Sequence, residues 1–272
     1  LRAGFRVLNA LAPPLAGRWA YRLWFRSRRF PEPQRERLWR VQSEPIHLPH
    51  KYGPLALYRW GDGPLIVLLH GWNGRGLQLG AFAEPLVAAG FGVVAFDAPA
   101  HGRTPGKATT LFQIVDALQT VAQAHGPVKG IVAHSFGSMV CARALRDGLP
   151  VERVVNISPP TGLEFLVDHF CTTLDIPETS RRAFTSLLEQ HYGGDIWEQT
   201  SVLANARKLQ VPCLVIHDRD DPDVPWQQGK QVAHTWPGAR FQLTEGLGHR
   251  RILRHPEVVT ATVDFLRAMP SD

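Results

Sequence analysis

Residues Ile131-Val-Ala-His-Ser135-Phe-Gly-Ser-Met139 place a serine where an apolar run, Val128 to Ala133, meets an apolar helical pattern. Small residues, Ala133 and Gly137, lie two positions before and after it. This is the spacing of a tight strand-to-helix turn that lifts a hydroxyl clear of the backbone, where bulky side chains at the two small positions would collide with neighbouring segments. At the start of a helix the dipole favours a developing negative charge. The pentapeptide alone also fits an ordinary strand–loop–helix junction. A free serine hydroxyl is too weak an acid to attack unaided, so a nucleophile at Ser135 requires a base.

Three more segments supply companions. Leu65-Ile-Val-Leu-Leu-His70-Gly71-Trp72-Asn73-Gly74 is an apolar strand that opens into a Gly-rich loop, which can turn backbone N–H groups toward a substrate oxygen. Cys213-Leu-Val-Ile-His217 is a second apolar strand, and it ends in four competing carboxylates: Asp218, Asp220, Asp221 and Asp223. Gly246-Leu-Gly-His249 puts a histidine on a loop after the strand-like run Phe241 to Thr244. His249 is the candidate base: it would take the Ser135 proton on attack and return it to the leaving group. One aspartate would orient its imidazole and stabilise imidazolium without taking the proton. The chain order is serine, acid, histidine.

With these residues in that order, the chain resembles the α/β-hydrolase superfamily over roughly residues 45 to 270. It looks most similar to small bacterial hydrolases with an H-G-W-x-G-R loop and a D-A-P-A-H-G turn, here His70-Gly-Trp-Asn-Gly-Arg75 and Asp97-Ala-Pro-Ala-His-Gly102. The family pattern G-x-x-D before V-P selects Asp221 as the acid, with Asp218 standing where the pattern has Gly. The resemblance implies an oxyanion hole from the backbone N–H groups of Phe136 and Trp72. It also implies structural duties for His70, Asp97 and His101, and His134 is expected to point away from Ser135 and pack. The implied activity is a serine hydrolase acting on a carboxylic ester or thioester through an acyl-enzyme. The same triad serving perhydrolysis, acyl transfer or C–C bond hydrolysis is the alternative, and a non-catalytic binding protein on this scaffold is the rival of another class.

The elements that must position these residues read as a mostly parallel, doubly wound sheet of about eight strands. Strands are expected near 45–49, 54–60, 65–69, 91–96, 128–133 and 151–157, then at 213–217 and 241–244. Helices are expected at 77–89, 111–124 and 136–146. His70, Asp97, Ser135 and Asp221 fall at strand ends, where such sheets build their sites. Residues 161–207 carry no strand signal and read as short helices, at the place where the superfamily inserts a lid after strand six. Residues 41–160 and 208–272 make the core, and 1–40 a basic helical extension. Trp72, Phe165, Phe170 and Trp197 are expected to line a largely apolar pocket.

Charge is uneven. Residues 1–40 hold ten arginines and two glutamates, +8, against a total of +6, so the remainder sums to −2. Residues 1–30 are expected to be helices docked on the domain, with weak membrane-surface contact as the second expectation. Nucleic acid is not an expected partner; a small ester-type molecule is. A monomer or homodimer follows by analogy with the fold. The acidic cluster 218–223 lacks the Gly and terminal Glu of a calcium loop, so no metal is expected. Gly102-Arg-Thr-Pro-Gly-Lys107 has one residue too few between its glycines, and no hydroxyl residue after its lysine, for a phosphate loop. Gly71, Gly74 and Gly76 make no dinucleotide fingerprint, so no cofactor is expected. Three widely spaced cysteines, Cys141, Cys171 and Cys213, with Cys141 and Cys213 expected to be buried core thiols, suggest a reducing compartment and a cytoplasmic or membrane-peripheral protein. No apolar run reaches the length of a membrane span. The chain opens on Leu1 and not on Met, which leaves room for a segment ahead of it.

Overall fold

A computed structural model describes residues 1–268. The chain starts with three helices, α1 (Arg2–Leu11), α2 (Pro13–Trp24) and α3 (Gln34–Val41). Strands β1 (Glu44–Leu48), β2 (Leu55–Trp60) and β3 (Leu65–Leu69) follow, then α4 (Ala83–Ala88) and β4 (Gly92–Phe96). Helix α5 (Leu111–His125), β5 (Val128–His134), α6 (Phe136–Arg146) and β6 (Val151–Ile157) complete the first part of the core. Helices α7 (Leu163–Leu174), α8 (Glu178–Tyr192), α9 (Ile196–Thr200) and α10 (Val202–Ala206) form an insertion before β7 (Cys213–Asp218). The chain closes with α11 (Trp226–Thr235), β8 (Arg240–Thr244), α12 (Gly248–Arg251) and α13 (Pro256–Arg267).

The eight strands form one sheet in the order β1-β2-β4-β3-β5-β6-β7-β8. The β1–β2 and β2–β4 pairings are antiparallel, and all others are parallel. Parallel strands are covered on both faces, which is why β3 reads as unbroken Leu-Ile-Val-Leu-Leu. Successive side chains point to opposite faces. Val67 and Leu69 enter one core layer, while Ile66 and Leu68 enter the other. Each such fully buried side chain contributes about 1.5–3 kcal/mol of transfer free energy. Thr110 and Gln113 form a reciprocal capping box that fixes the start of α5.

The segment 77–89 is not one helix. It begins as a 3-10 helix, Gly76–Phe82, and becomes α-helical only at Ala83. The early part is pinned by close backbone packing: a Cβ on Gly76 would fall 2.9 Å from Phe96 N, and one on Gly80 would meet the Trp39 ring.

Helices α1 and α2 dock on the insertion. Phe5 is fully buried and stacks on Trp19 with centroids 4.3 Å apart. Trp24 meets Phe170 and Phe184 at 5.2 and 5.7 Å. Val7, Leu11 and Leu15 stay exposed. After α2 the chain is stitched across the sheet's carboxyl end. Arg26 bridges Ala108 in an isolated antiparallel pair, Phe25 O accepts from Thr109 N, and Arg29 donates to the carbonyls of Gly102, Thr104 and Gly106. Arg75 pairs with buried Glu36 on α3 and donates to Phe30 O and Pro31 O. All three cysteines are free and buried. Among the described residues, no helix is long and apolar enough to cross a membrane.

Candidate active site

Ser135 ends the β5 run and caps α6 with φ 53° and ψ −121°, a left-handed conformation that costs a non-glycine residue of order 1–3 kcal/mol. The surroundings hold it there. Ser135 N donates to Ile157 O at 2.9 Å, and Ser138 N returns to Ser135 O at 2.9 Å. A Cβ on Gly137 would sit 2.7 Å from Leu69 O and 2.8 Å from His70 O. The small residue that marks the turn in the sequence is therefore required by the close pass of α6 over the end of β3. Ser135 Oγ makes no hydrogen bond among the described residues.

Of the four aspartates, Asp221 meets the histidine: His249 Nδ1 lies 2.7 Å from Asp221 Oδ2. The other carboxylate oxygen accepts from Asp223 N and Val224 N at 2.9 and 2.8 Å. His217 Nε2 donates to Val224 O at 2.9 Å and lies 3.5 Å from Asp221 Oδ2. Burial raises the pKa of Asp221, but hydrogen bonds from His217, His249 and Val224 outweigh it and hold this carboxyl far below the usual carboxylate range. An ionised Asp221 fixes the proton of His249 on Nδ1 and leaves Nε2 as the basic nitrogen. His249 sits in the single turn of α12 and not on an open loop.

Asp218 and Asp220 have a different duty. Asp218 is fully buried at the end of β7 and accepts from Gly248 N at 2.8 Å, Thr244 Oγ1 at 2.7 Å and Asp220 N at 3.1 Å. Asp220 Oδ2 accepts from Gly246 N at 2.8 Å. Together they tie the histidine's turn to the acid's strand. Burial pushes the Asp218 carboxyl up, but the N–H and hydroxyl donors prevail and lower its pKa. With a folded-state pKa below the unfolded value of about 3.9, its stabilisation is complete above that pH and is lost as pH falls toward the folded pKa. Asp218→Asn is therefore expected to unfold at lower urea than wild type near pH 6, with the gap narrowing below about pH 4. Urea titrations across that range check it, and a pH-independent gap would assign the effect to geometry alone.

The β3 end is organised by two neutral histidines. His70 Nδ1 donates to Gly71 O at 2.7 Å and its Nε2 accepts from Ala98 N at 3.0 Å. Burial, with His101 nearby, brings its pKa down to about 3. His101 donates to Pro99 O and accepts from Asn73 N at 3.1 Å, and burial lowers it to about 4. Asp97 accepts from Gly76 N, Arg103 N and Tyr58 Oη. These contacts fasten the 70–76 loop to the 97–103 turn. The N–H groups of Trp72 and Phe136 have no hydrogen-bond partner among the described residues. Their rings meet edge-on at 5.2 Å, and a Cβ on Gly71 would fall 3.0 Å from Ser135 Cβ, so the loop that carries Trp72 passes close to the elbow. His134 does more than pack. Its Nε2 donates to His249 O at 2.9 Å, and its ring lies 4.6 Å from the His249 ring. The residue before Ser135 thus holds the His249 backbone.

Ser135, Phe136 and Trp72 line a cavity of about 760 Å³; His249 is not on its wall. Phe170 lines it as expected, but Phe165 and Trp197 do not. Phe165 stacks on His169, and Trp197 donates its indole N–H to Glu189 Oε1. The wall is completed by residues that the sequence reading assigned to a separate extension: Leu23, Trp24, Phe25, Arg26 and Arg28. The available signal was the density of aromatic and arginine residues between 18 and 30.

A sequence model of the alpha/beta hydrolase family matches residues 66–262. Lysophosphatidylserine lipase ABHD12 of Danio rerio is 25% identical over 236 residues, covering 75% of this chain and 58% of that protein, so the match spans little more than half of the relative's length. Among solved structures, a bromoperoxidase from Bacillus anthracis matches with TM-score 0.62 at 19% identity, over 83% of this chain and 100% of that one. The esterase EaEST from Exiguobacterium antarcticum matches with TM-score 0.60 at 16% identity, over 79% and 96%. At these identities the structural likeness carries the fold.

Proposed function

Because this chain belongs to the alpha/beta hydrolase family, we propose that it is a serine hydrolase that cleaves a carboxylic ester, or a thioester, through an acyl-enzyme. Ser135 Oγ attacks the carbonyl carbon while His249 Nε2 takes its proton. The carbonyl oxygen becomes an oxyanion and turns toward the N–H groups of Trp72 and Phe136. As the tetrahedral intermediate collapses, imidazolium returns the proton to the departing alkoxide or thiolate. Water, deprotonated by His249, then attacks the acyl-serine; the Oγ–acyl bond breaks, imidazolium returns the proton to Ser135 Oγ, and the acid leaves. Asp221 holds the tautomer and stabilises the imidazolium throughout. Helices α7–α10, with α1 and α2 against them, act as the cap that keeps the acyl group out of water.

The observation that carries this reading is the site's division of labour: a strained, unengaged serine beside two unengaged N–H groups on one cavity, with a His–Asp pair tied to the serine's neighbour. The test is covalent labelling by a fluorophosphonate probe, with p-nitrophenyl ester turnover measured beside it. Wild type is expected to label and turn over, and Ser135→Ala to do neither while keeping its melting temperature. A folded wild type that neither labels nor hydrolyses would overturn the proposal.

A further inference from the structure

The arginine-rich extension is part of the active-site cavity, and its charges bear on what enters. Arg26, Arg28, Arg29 and Lys107 all line the cavity that holds Ser135, and none of its described lining residues is Asp or Glu. Arg29 is committed to three backbone carbonyls of the 102–106 turn. The side chains of Arg26, Arg28 and Lys107 have no ion-pair or hydrogen-bond partner among the described residues. The nearby acids are already engaged elsewhere: Glu32 with Arg40 and Arg103, Glu36 with Arg75, Asp175 with Arg6.

The backbone that carries these cations is fixed close to the reacting centre. Arg28 N donates to Asn73 Oδ1 at 2.7 Å, and Asn73 directly follows Trp72. The bonded path from Arg28 N to Trp72 N is at most about 13 Å, and the separation in space is shorter. Asn73 has φ 58° and is held in turn by His101. The Arg26–Ala108 bridge and the Thr109 N–Phe25 O bond set Lys107 across from Ser27, one position along from Arg26 and from Arg28. Much of the remaining wall is apolar, with Trp24, Phe112, Leu166 and Phe170 among its members, beside polar Asn73, Thr110, His169 and Thr173. Arg26, Arg28 and Lys107 are solvent-exposed, so they act from the cavity's rim, where a cluster of one sign raises the local concentration of anions.

We infer that the substrate is an anionic amphiphile: an ester whose acyl chain occupies the apolar part of the cavity and whose alcohol half carries a phosphate or carboxylate held by Arg26, Arg28 and Lys107. This rests on Ser135 being the nucleophile, and it adds a substrate class to that reading. Arg26 and Arg28 offer planar, multi-donor groups suited to an oxyanion, and Lys107 offers a point charge. A neutral ester would leave all three cations solvated and gain nothing from them.

The experiment compares octanoyl glycerol, octanoyl glycerol phosphate and octanoyl glycerate, following octanoate release by wild type and by the triple variant Arg26→Gln, Arg28→Gln, Lys107→Gln. Wild type is expected to favour the phosphate ester over the neutral one by tenfold or more in kcat/KM, on the order of one charge-assisted hydrogen bond. The glycerate separates a general anion site from a phosphate site. In the triple variant the preference is expected to fall to within about threefold of unity, and in wild type to shrink with added salt. A non-hydrolysable arm keeps the two readings apart. Binding of decyl phosphate and decanol is measured by quenching of tryptophan fluorescence, Trp24 and Trp72 being on the wall. Tighter binding of decyl phosphate that the variant loses supports the cation site even if no ester is cleaved, in which case it is the nucleophile reading that fails. Equal binding of the two probes, or an anionic preference unchanged in the triple variant, overturns the inference.

Discussion

Asp221→Asn is expected to lower kcat for ester hydrolysis by about 10⁴, while Asp220→Asn lowers it by no more than about tenfold. The contrast follows from which atom each carboxylate touches. Asp221 Oδ2 is 2.7 Å from His249 Nδ1, and its Oδ1 is already held by two backbone N–H groups. An amide at 221 would keep the shape but present its NH2 either to those donors or to the imidazole. The oxygen can satisfy only one side. If it turns toward the backbone donors, the NH2 faces His249 Nδ1 and favours the tautomer whose proton sits on Nε2, the nitrogen that must be free to receive the serine's proton. A factor of 10⁴ corresponds to about 5.4 kcal/mol of barrier. Asp220 instead accepts from Gly246 N in an exposed setting, so its loss loosens the histidine's turn without altering the tautomer. Steady-state kinetics on a p-nitrophenyl ester, with the rate of fluorophosphonate labelling as a second readout, separates the two. An equal loss for both variants would place the acid's role in holding the loop and not in fixing the proton.

The four aspartates illustrate what a sequence can and cannot convey. Strand β7 was legible because Cys-Leu-Val-Ile has no other use than a buried parallel strand, and the same holds for β3 and β5. The elbow was legible because the local pattern of small residues at 133 and 137 marks it, and at Gly137 the close pass of the Leu69 and His70 carbonyls demands it. Asp221 was chosen by family pattern; nothing in the spacing of Asp218, Asp220, Asp221 and Asp223 says which carboxylate turns toward a histidine 28 residues away. That choice is made by the turn after β7, where Asp218 is consumed by Gly248 N and Thr244. The assignment of Phe165 and Trp197 to the pocket had the same weakness. Helical periodicity gives an apolar face but not the direction that face takes, and Trp197 spends its N–H on Glu189. The extension was the largest gap. Its arginines and aromatics read as helices docked on the domain but not as a wall of the cavity, because the contacts that place it there are made to residues more than forty positions on, such as Asn73, Ala108 and Phe184. Sequence-local reasoning does not reach such contacts.

Replacing Gly17 with Leu is expected to flatten the enzyme's dependence on acyl-chain length while leaving the shortest ester almost untouched. Gly17 is a point of close approach between α2 and α8: a Cβ there would lie 2.5 Å from Ala183 Cβ and 3.0 Å from Phe184 N. A leucine cannot be accommodated by rotating a flexible neighbour, since one obstacle is backbone. Overpacking of this kind costs about 1–3 kcal/mol, and undocking of α2 relieves it. The sheet is untouched, so the loss is local. Trp24 would leave Phe170 and Phe184, and with it goes one wall of the cavity. Each methylene of a bound acyl chain that leaves water is worth about 0.8 kcal/mol, or roughly fourfold in kcat/KM if it is fully sheltered at the transition state. Wild type should therefore show a rise of up to about fourfold per carbon from acetate upward, ending where the chain fills the cavity. With α2 displaced, the same methylenes remain in water and the slope should fall toward unity, so that a decanoate ester loses well over a hundredfold while acetate stays within about threefold. The length profile of p-nitrophenyl esters on the two proteins, with far-UV circular dichroism to confirm the fold, decides it. A parallel loss at every chain length would mean that α2 supports the catalytic loops and not the acyl wall, through the contacts that follow it: Arg28 N to Asn73, next to Trp72, and Arg29 to the 102–106 turn.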